Sequence, residues 1–363
     1  MTAPSLAQLG TDFYVPAYEI RVGGTPLDRQ AVRDIVSVSY TDSLEDVDSF
    51  ELEINNWDEV ARTTRYSEGD LFEPGQRVQL SLGYLDAGLV PMLTGEITSL
   101  QPRFPADSPP TLAVRGLSIL HRLRTEACSQ AYERKTDSEI AREIAGRIGV
   151  DLELDATAQA KEARNEYVLQ AQQQDIVFLL QRARRIGYEL TAQERDDGTP
   201  YLYFAPPAAG IPTPFRLEWG RSLLSFDPTL TTANQVGQVT VQAWHPTEKR
   251  LIQQTARRDE LGGDQVFLQA FNQRHEVIAD HPVTSDAEAH TLALETLRDN
   301  ALRMVTASAS TVGLPRLRAG ARVEIAGLGP RYLDGDWYVT GSTHRLGDNG
   351  YVTSFDARRE VGG

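Results

Sequence analysis

Hydrophobic and polar residues alternate in several glycine-punctuated stretches of this chain, and two of those stretches repeat one plan. The later one reads Leu317-Arg-Ala-Gly320-Ala-Arg-Val323-Glu-Ile325, then Leu333-Asp-Gly335-Asp-Trp-Tyr338-Val339, then Tyr351-Val-Thr-Ser-Phe355. The earlier one reads Phe72-Glu-Pro-Gly75-Gln-Arg-Val78-Gln-Leu80, then Leu93-Thr-Gly95-Glu-Ile97, then Leu112-Ala-Val114-Arg-Gly116. Alternation with a period of two between glycine turns is the signature of half-buried antiparallel strands. It predicts a mainly β (α+β) chain with two similar small antiparallel β-barrels. Gly75 and Gly320, Val78 and Val323, and Leu80 and Ile325 stand at matching places.

The rest of the pattern fills in around these barrels. Strands are expected at 17–22, 35–40 and 50–54, with the acidic connector 42–48 as a solvated loop. Thr136 and Glu139 form a capping box before Ile140, Ile144 and Ile148, which predicts an amphipathic helix closed by Gly149. A second helix is expected from Gln173 to Ile186, followed by strands at 188–190 and 201–204. The Pro- and Gly-rich run 205–214 marks a boundary. Strands near 223–228 and 236–246 are expected to open the second barrel, and 248–264 to form a loop. Ser285 and Glu288 make a second capping box, ahead of Leu294, Leu297, Ala301 and Met304 at helical spacing. The expected organisation is an N-terminal arm (1–14), a first barrel (15–122), an α/β middle domain (123–214) and a second barrel in two parts (215–258 and 304–363) flanking a helical insertion (259–303).

Composition narrows the function. With 36 basic and 51 acidic residues the net charge is −15, which disfavours binding to a nucleic-acid backbone. No apolar run reaches the length of a membrane span, and the first residues lack a secretory pattern, so synthesis in the cytoplasm is expected. The single cysteine, Cys128, excludes an intrachain disulfide. The six histidines show neither an i, i+4 pair nor the HExxH pattern. His275, His281 and His290 could in principle supply metal ligands, but neither a metal nor a cofactor is expected. The chain has no GxSxG elbow and no phosphate-binding loop. Asp334 and Asp336 flank Gly335 as a β-turn would, so they are not read as a catalytic pair. No catalytic residue is expected.

Several motifs together resemble the late control protein D family, the baseplate hubs of contractile phage tails and related injection machines. They are Gly313-Leu-Pro315, Gly320, Gly335-Asp-Trp-Tyr338, His344, Gly350-Tyr351 to Phe355 with Arg358-Arg359, and Trp244 followed by a polar residue and proline. The hub half of type VI secretion spikes is similar. In the family a Ser or Thr usually caps the helix that here follows Gln172, Gln173 and Gln174. The resemblance implies a structural role without chemistry, in a homotrimer joining a hexameric tail tube to a trimeric spike among other baseplate proteins. It also implies incorporation into a phage tail or injection particle; because the sequence ends soon after the strand Tyr351 to Phe355, the spike is expected to be a separate polypeptide. A tail-associated cell-wall hydrolase or carbohydrate-binding module is the alternative.

Overall fold

The computed structural model describes residues 13, 15–124, 126–207, 215–245, 248–262, 273–281, 283, 285–329 and 334–359. The expected boundary at 208–214, nearly all of the N-terminal arm and Leu333 lie outside these residues.

The first unit contains β1 (Pro16–Val22), β2 (Thr25–Pro26), α1 (Arg29–Asp34), β3 (Ile35–Ser43) and β4 (Ser49–Asn55). The small ribbon β5 (Trp57–Asp58) and β6 (Thr63–Thr64) follows, then β7 (Arg77–Tyr84), β8 (Gly88–Arg103) and β9 (Thr111–Ser118). The six longer strands pair in the order β1-β7-β8-β9-β4-β3. Inward residues alternate along them, so that Val38, Tyr40, Leu52, Ile54, Val78, Leu80 and Leu82 form one buried core.

After a 3₁₀ turn at Ile119–Leu123 comes a middle unit. It holds β10 (Cys128–Lys135), α2 (Asp137–Arg147), β11 (Asp151–Leu154), α3 (Ala156–Gln159), β12 (Asn165–Gln173), α4 (Asp175–Arg185), β13 (Glu189–Glu194) and β14 (Pro200–Ala205). The Thr136–Glu139 capping box is formed in both directions. Gln174 stands at the cap of α4 and makes no side-chain bond there, because its long amide does not sit where a Ser or Thr oxygen would. Ile140, Ile144, Phe178 and Leu179 pack against Leu190, Leu202 and Phe204 in a second core.

The remainder comprises β15 (Phe215–Glu218), β16 (Leu223–Leu230), β17 (Gln238–His245), β18 (Arg250–Arg257), β19 (His275–Ile278), α5 (Asp286–Leu302), β20 (Val305–Val312), β21 (Arg322–Ala326), β22 (Gly335–Gly347) and β23 (Gly350–Arg358). Six of these strands pair as β15-β21-β22-β23-β20-β16 around a third core that includes Trp337, Val339 and Phe355. Both the order in space and the order along the chain repeat those of the first unit. One pairing differs in direction: β1 runs antiparallel to β7, whereas β15 runs parallel to β21.

Three expectations need correction. The strand at 236–246 does not open the second barrel. As β17 it joins β18 and β19 in a separate three-stranded sheet, because Val239 and Val241 bury against Ala289, Ala293 and Leu297 of α5. The insertion into the second barrel is therefore larger than 259–303. The polar stretch after Glu248 is a strand, β18, whose inward Ile252 and Ala256 complete the same core. The acidic connector 42–48 is not uniformly solvated: Asp42 and Asp48 are buried.

Candidate functional site: the joint between the barrels

The two barrels are joined in one continuous sheet, because β22 pairs antiparallel with β3 from Gly341 opposite Ser43 to Leu346 opposite Val38. β22 can serve both barrels because it is long. Its first residues pair with β21, and beyond Tyr338 that edge is free to receive β3.

Over this joint sits Arg318, between β20 and β21. Its Nε donates to Asp42 Oδ2 at 3.1 Å and its Nη1 to Glu194 Oε2 at 3.2 Å, and Asp48 Oδ2 lies 4.0 Å from Nη2. The guanidinium also donates to the Tyr40 hydroxyl and lies 5.1 Å from the centre of that ring. One side chain of the second barrel thus binds β3 and its connector in the first barrel and β13 in the middle unit. Asp42 is further held by the Ala319 amide at 3.1 Å, the Ser342 amide at 2.9 Å and the Ser342 hydroxyl at 2.5 Å. Glu194 accepts from the Thr94 amide on β8 at 2.9 Å.

The electrostatics follow from burial. Desolvation, and then the charge of Asp42, push Asp48 well above the usual carboxylate range. Desolvation also raises Glu194, against the pull of Arg318. Burial alone would lower Arg318, but Tyr40 and the three carboxylates around it hold it well above its usual value.

Beside this cluster lies His344, fully buried. Its Nε2 is 3.0 Å from Ser342 Oγ, and its Nδ1 is 2.9 Å from the Tyr351 hydroxyl and 3.1 Å from Thr353 Oγ1. Ser342 spends its proton on Asp42, so Nε2 carries the imidazole hydrogen and Nδ1 accepts. Burial lowers His344 to about 4. Aspartate, serine and histidine meet here, but in the wrong order for nucleophilic catalysis. Asp42 takes the serine proton instead of orienting the imidazole, and all three side chains are closed to solvent. The arrangement can fix a joint; it cannot receive a substrate.

The residues singled out in the sequence fall into three places. Gly320 turns the chain into β21 at φ +87°, and Gly335 starts β22 at φ +122°. Tyr338 is buried with its hydroxyl 2.5 Å from Glu189 Oε2, and Pro315 lies in the turn leading to Arg318. Tyr351 binds His344, and Phe355 fills the third core. Gly75 and Gly95 occupy the first barrel. Trp244 is apart from all of these, 62 % exposed on β17. His275, His281 and His290 each meet a different partner: Thr240, Asp280 and Glu260. Asp334 accepts the Leu328 and Gly329 amides at 2.8 and 3.1 Å, which closes a loop end.

Sequence reasoning missed Arg318, Asp42, Asp48 and Glu194. One signal was available: Asp42 continues the inward parity of Val38 and Tyr40, and a carboxylate on the inward face of a strand requires a cation.

Comparison with known proteins places this architecture. The 43 kDa tail protein of prophage MuSo2 from Shewanella oneidensis superposes with a TM-score of 0.71 at 17% identity, over 95% of this chain and 98% of that one. A tail protein from Neisseria meningitidis MC58 gives 0.68 at 17% identity, over 95% and 97%. An E. coli component of the type VI secretion system gives 0.62 at 11% identity, over 93% of this chain and 76% of that one. The fold is thus shared with the kinds of protein to which the late control protein D resemblance pointed. A search of curated protein sequences finds no match. The family model described as the Alg8 N-terminal domain matches residues 14–348, and the chain belongs to that family.

Proposed function

We propose that this chain is a structural baseplate hub, and that three copies form a ring joining a six-fold tail tube to a three-fold spike. The observation that carries this reading is the repeated strand order, β1-β7-β8-β9-β4-β3 and β15-β21-β22-β23-β20-β16. A closed ring of three identical chains offers only three copies of any one surface. With two barrels of one plan in each chain, three chains offer six similar surfaces to the tube. The middle unit and the β17–β19 sheet with α5 are not repeated, so they present three-fold surfaces suited to the spike and to other baseplate proteins. The buried Arg318 cluster supports the same role, because it fixes the angle between the barrels on which ring closure depends.

The test is to locate the protein in its particle. A short tag on the Asp196–Gly198 turn should be labelled at the end of the tail tube, where tube meets spike. Label along the sheath or on fibres, or clearing of cell-wall material by the purified protein, would overturn the reading.

A further inference from the structure

The correspondence between the barrels also identifies two edges that have no strand partner among the described residues. On the β7 side, the β8 pairings end at Glu96, and among the described residues Ser99 to Arg103 beyond it pair only with β9. β16 pairs with β20 on one side and, among the described residues, meets only a single bridge at Leu223 on the other. The two ladders map residue by residue. Ile97 is opposite Gly116 and Val339 opposite Ala357, each just before a bulge, so β8 beyond the bulge corresponds to β22 from Gly341. Phe50 is opposite both Gly116 and Tyr40, and Ala307 is opposite both Ala357 and Pro228, so β16 corresponds to β3. The free edges are therefore the counterparts of the two edges that join in β22–β3.

We propose that these edges meet between copies: the 100–104 edge of one chain lies beside the 226–230 edge of the next, as 342–346 lies beside 38–42 within each chain. The proposal rests on the trimeric hub reading and names the surface that closes the ring. The β22–β3 register places Leu100 opposite Leu230, Gln101 opposite Thr229, Arg103 opposite Asp227 and Phe104 opposite Phe226. Apolar residues thereby face apolar ones, and a cation faces an anion, on alternate sides of the strands. Phe104 is 63 % exposed in the single chain, and Asp227 is also exposed. Within the chain, Arg103 comes no closer than 3.7 Å to Glu53.

The same register sets Pro102 opposite Pro228, at the counterparts of His344 and Tyr40. The Leu44 amide donates to the Thr340 carbonyl at 3.0 Å, and alternation from there makes His344–Tyr40 a hydrogen-bonded pair. Proline supplies no N–H, so the joint between copies lacks this central pair of bonds and relies on its side chains. The joint within the chain is a folded ladder with a buried ionic cluster, whereas the joint between chains is a weaker contact suited to assembly.

Cysteine pairing tests this. In a Cys128→Ser background, Gln101→Cys with Thr229→Cys should on oxidation give covalent species of two and three chains and none larger. The control is Thr41→Cys with Thr343→Cys, whose native hydroxyls are 3.1 Å apart; it should close within one chain. Arg103→Asp should reduce assembly, and adding Asp227→Arg should restore it. A trimer in sedimentation that neither crosslinks at 101 and 229 nor responds to the charge pair would overturn these edges and leave the trimeric reading standing. Covalent species growing beyond three chains would support the edges and overturn the trimer.

Discussion

The Gly75 amide donates to the Ile97 carbonyl at 2.8 Å, and the Gly320 amide donates to the Val339 carbonyl at 2.9 Å. The two glycines, at φ +90° and +87°, thus make the same turn in the two barrels. The likeness continues beyond them. Thr98 and Thr340 are the bulged residues of β8 and β22, and their hydroxyls donate to the carbonyls of Arg115 and Asp356, at 3.5 and 3.2 Å. Cross-strand pairs recur as well, Arg115 with Glu51 and Asp356 with Ser308.

A side chain at Gly75 would have open space and one at Gly320 would make an ordinary 3.6 Å contact with the Tyr338 hydroxyl, but both would sit on a left-handed backbone. Alanine at either position is expected to cost about 1–2 kcal/mol, equally in the two barrels. Gly95→Ala is expected to cost more, because its Cβ would fall 2.1 Å from the Leu117 carbonyl oxygen and the β8–β9 backbones would have to separate. Urea denaturation midpoints of the three variants give this ranking directly.

Arg318→Met should be among the most damaging single substitutions. It removes the cation that Asp42, Glu194 and Asp48 share and leaves buried carboxylates without compensation, at roughly 3–5 kcal/mol. Arg318→Lys should recover only part of the loss, since one ammonium cannot reproduce the forked contacts to Asp42 and Glu194. Melting temperatures of the two variants against the parent chain check both statements.

The pH dependence has two opposing parts. His344 is held down to about 4, so between its ordinary 6.5 and that value the unfolded chain binds a proton that the folded chain does not. Stability should therefore fall by roughly 3 kcal/mol as pH drops through this window. Asp48 and Glu194 are raised, so their contributions have the opposite sign: they are fullest below the ordinary carboxylate pKa and are lost as pH rises through the elevated values. His344→Gln should abolish the acid-side fall, and Asp48→Asn should flatten the loss on the other side. Stability curves at several pH values separate the two.

Much of the fold could be read from alternation, glycine turns and capping boxes, because those signals are local. Both the Thr136 box and the Ser285 cap formed where the side-chain spacing placed them. Three features depended on long-range geometry. The run Gln238–His245 alternates in a way that suits either sheet, and only the apolar face of α5 decides which one it joins. Gly95 and Gly335 each lead an alternating run in the sequence, yet they are not counterparts and stand two residues out of register. Gly75 and Gly320 align Ile97 with Val339, so Trp337, which packs edge-on against Phe226 in the third core, is the counterpart of Gly95, where a Cβ would meet the Leu117 backbone. The Arg318 cluster draws its groups from Tyr40 to Ser342, and beyond the inward parity of Asp42 little in a chain with 51 acidic residues marks which of them are buried.

In the proposed hub, three chains close into a ring of six similar barrels around a channel. Electron cryomicroscopy of the purified assembly viewed down its axis, with its mass measured in solution, tests this most directly. The expected particle holds three 40.2 kDa chains, with six near-equivalent lobes around an open centre and three-fold features at one face. A stable monomer, six chains in the ring, or three lobes with no six-fold likeness would contradict it.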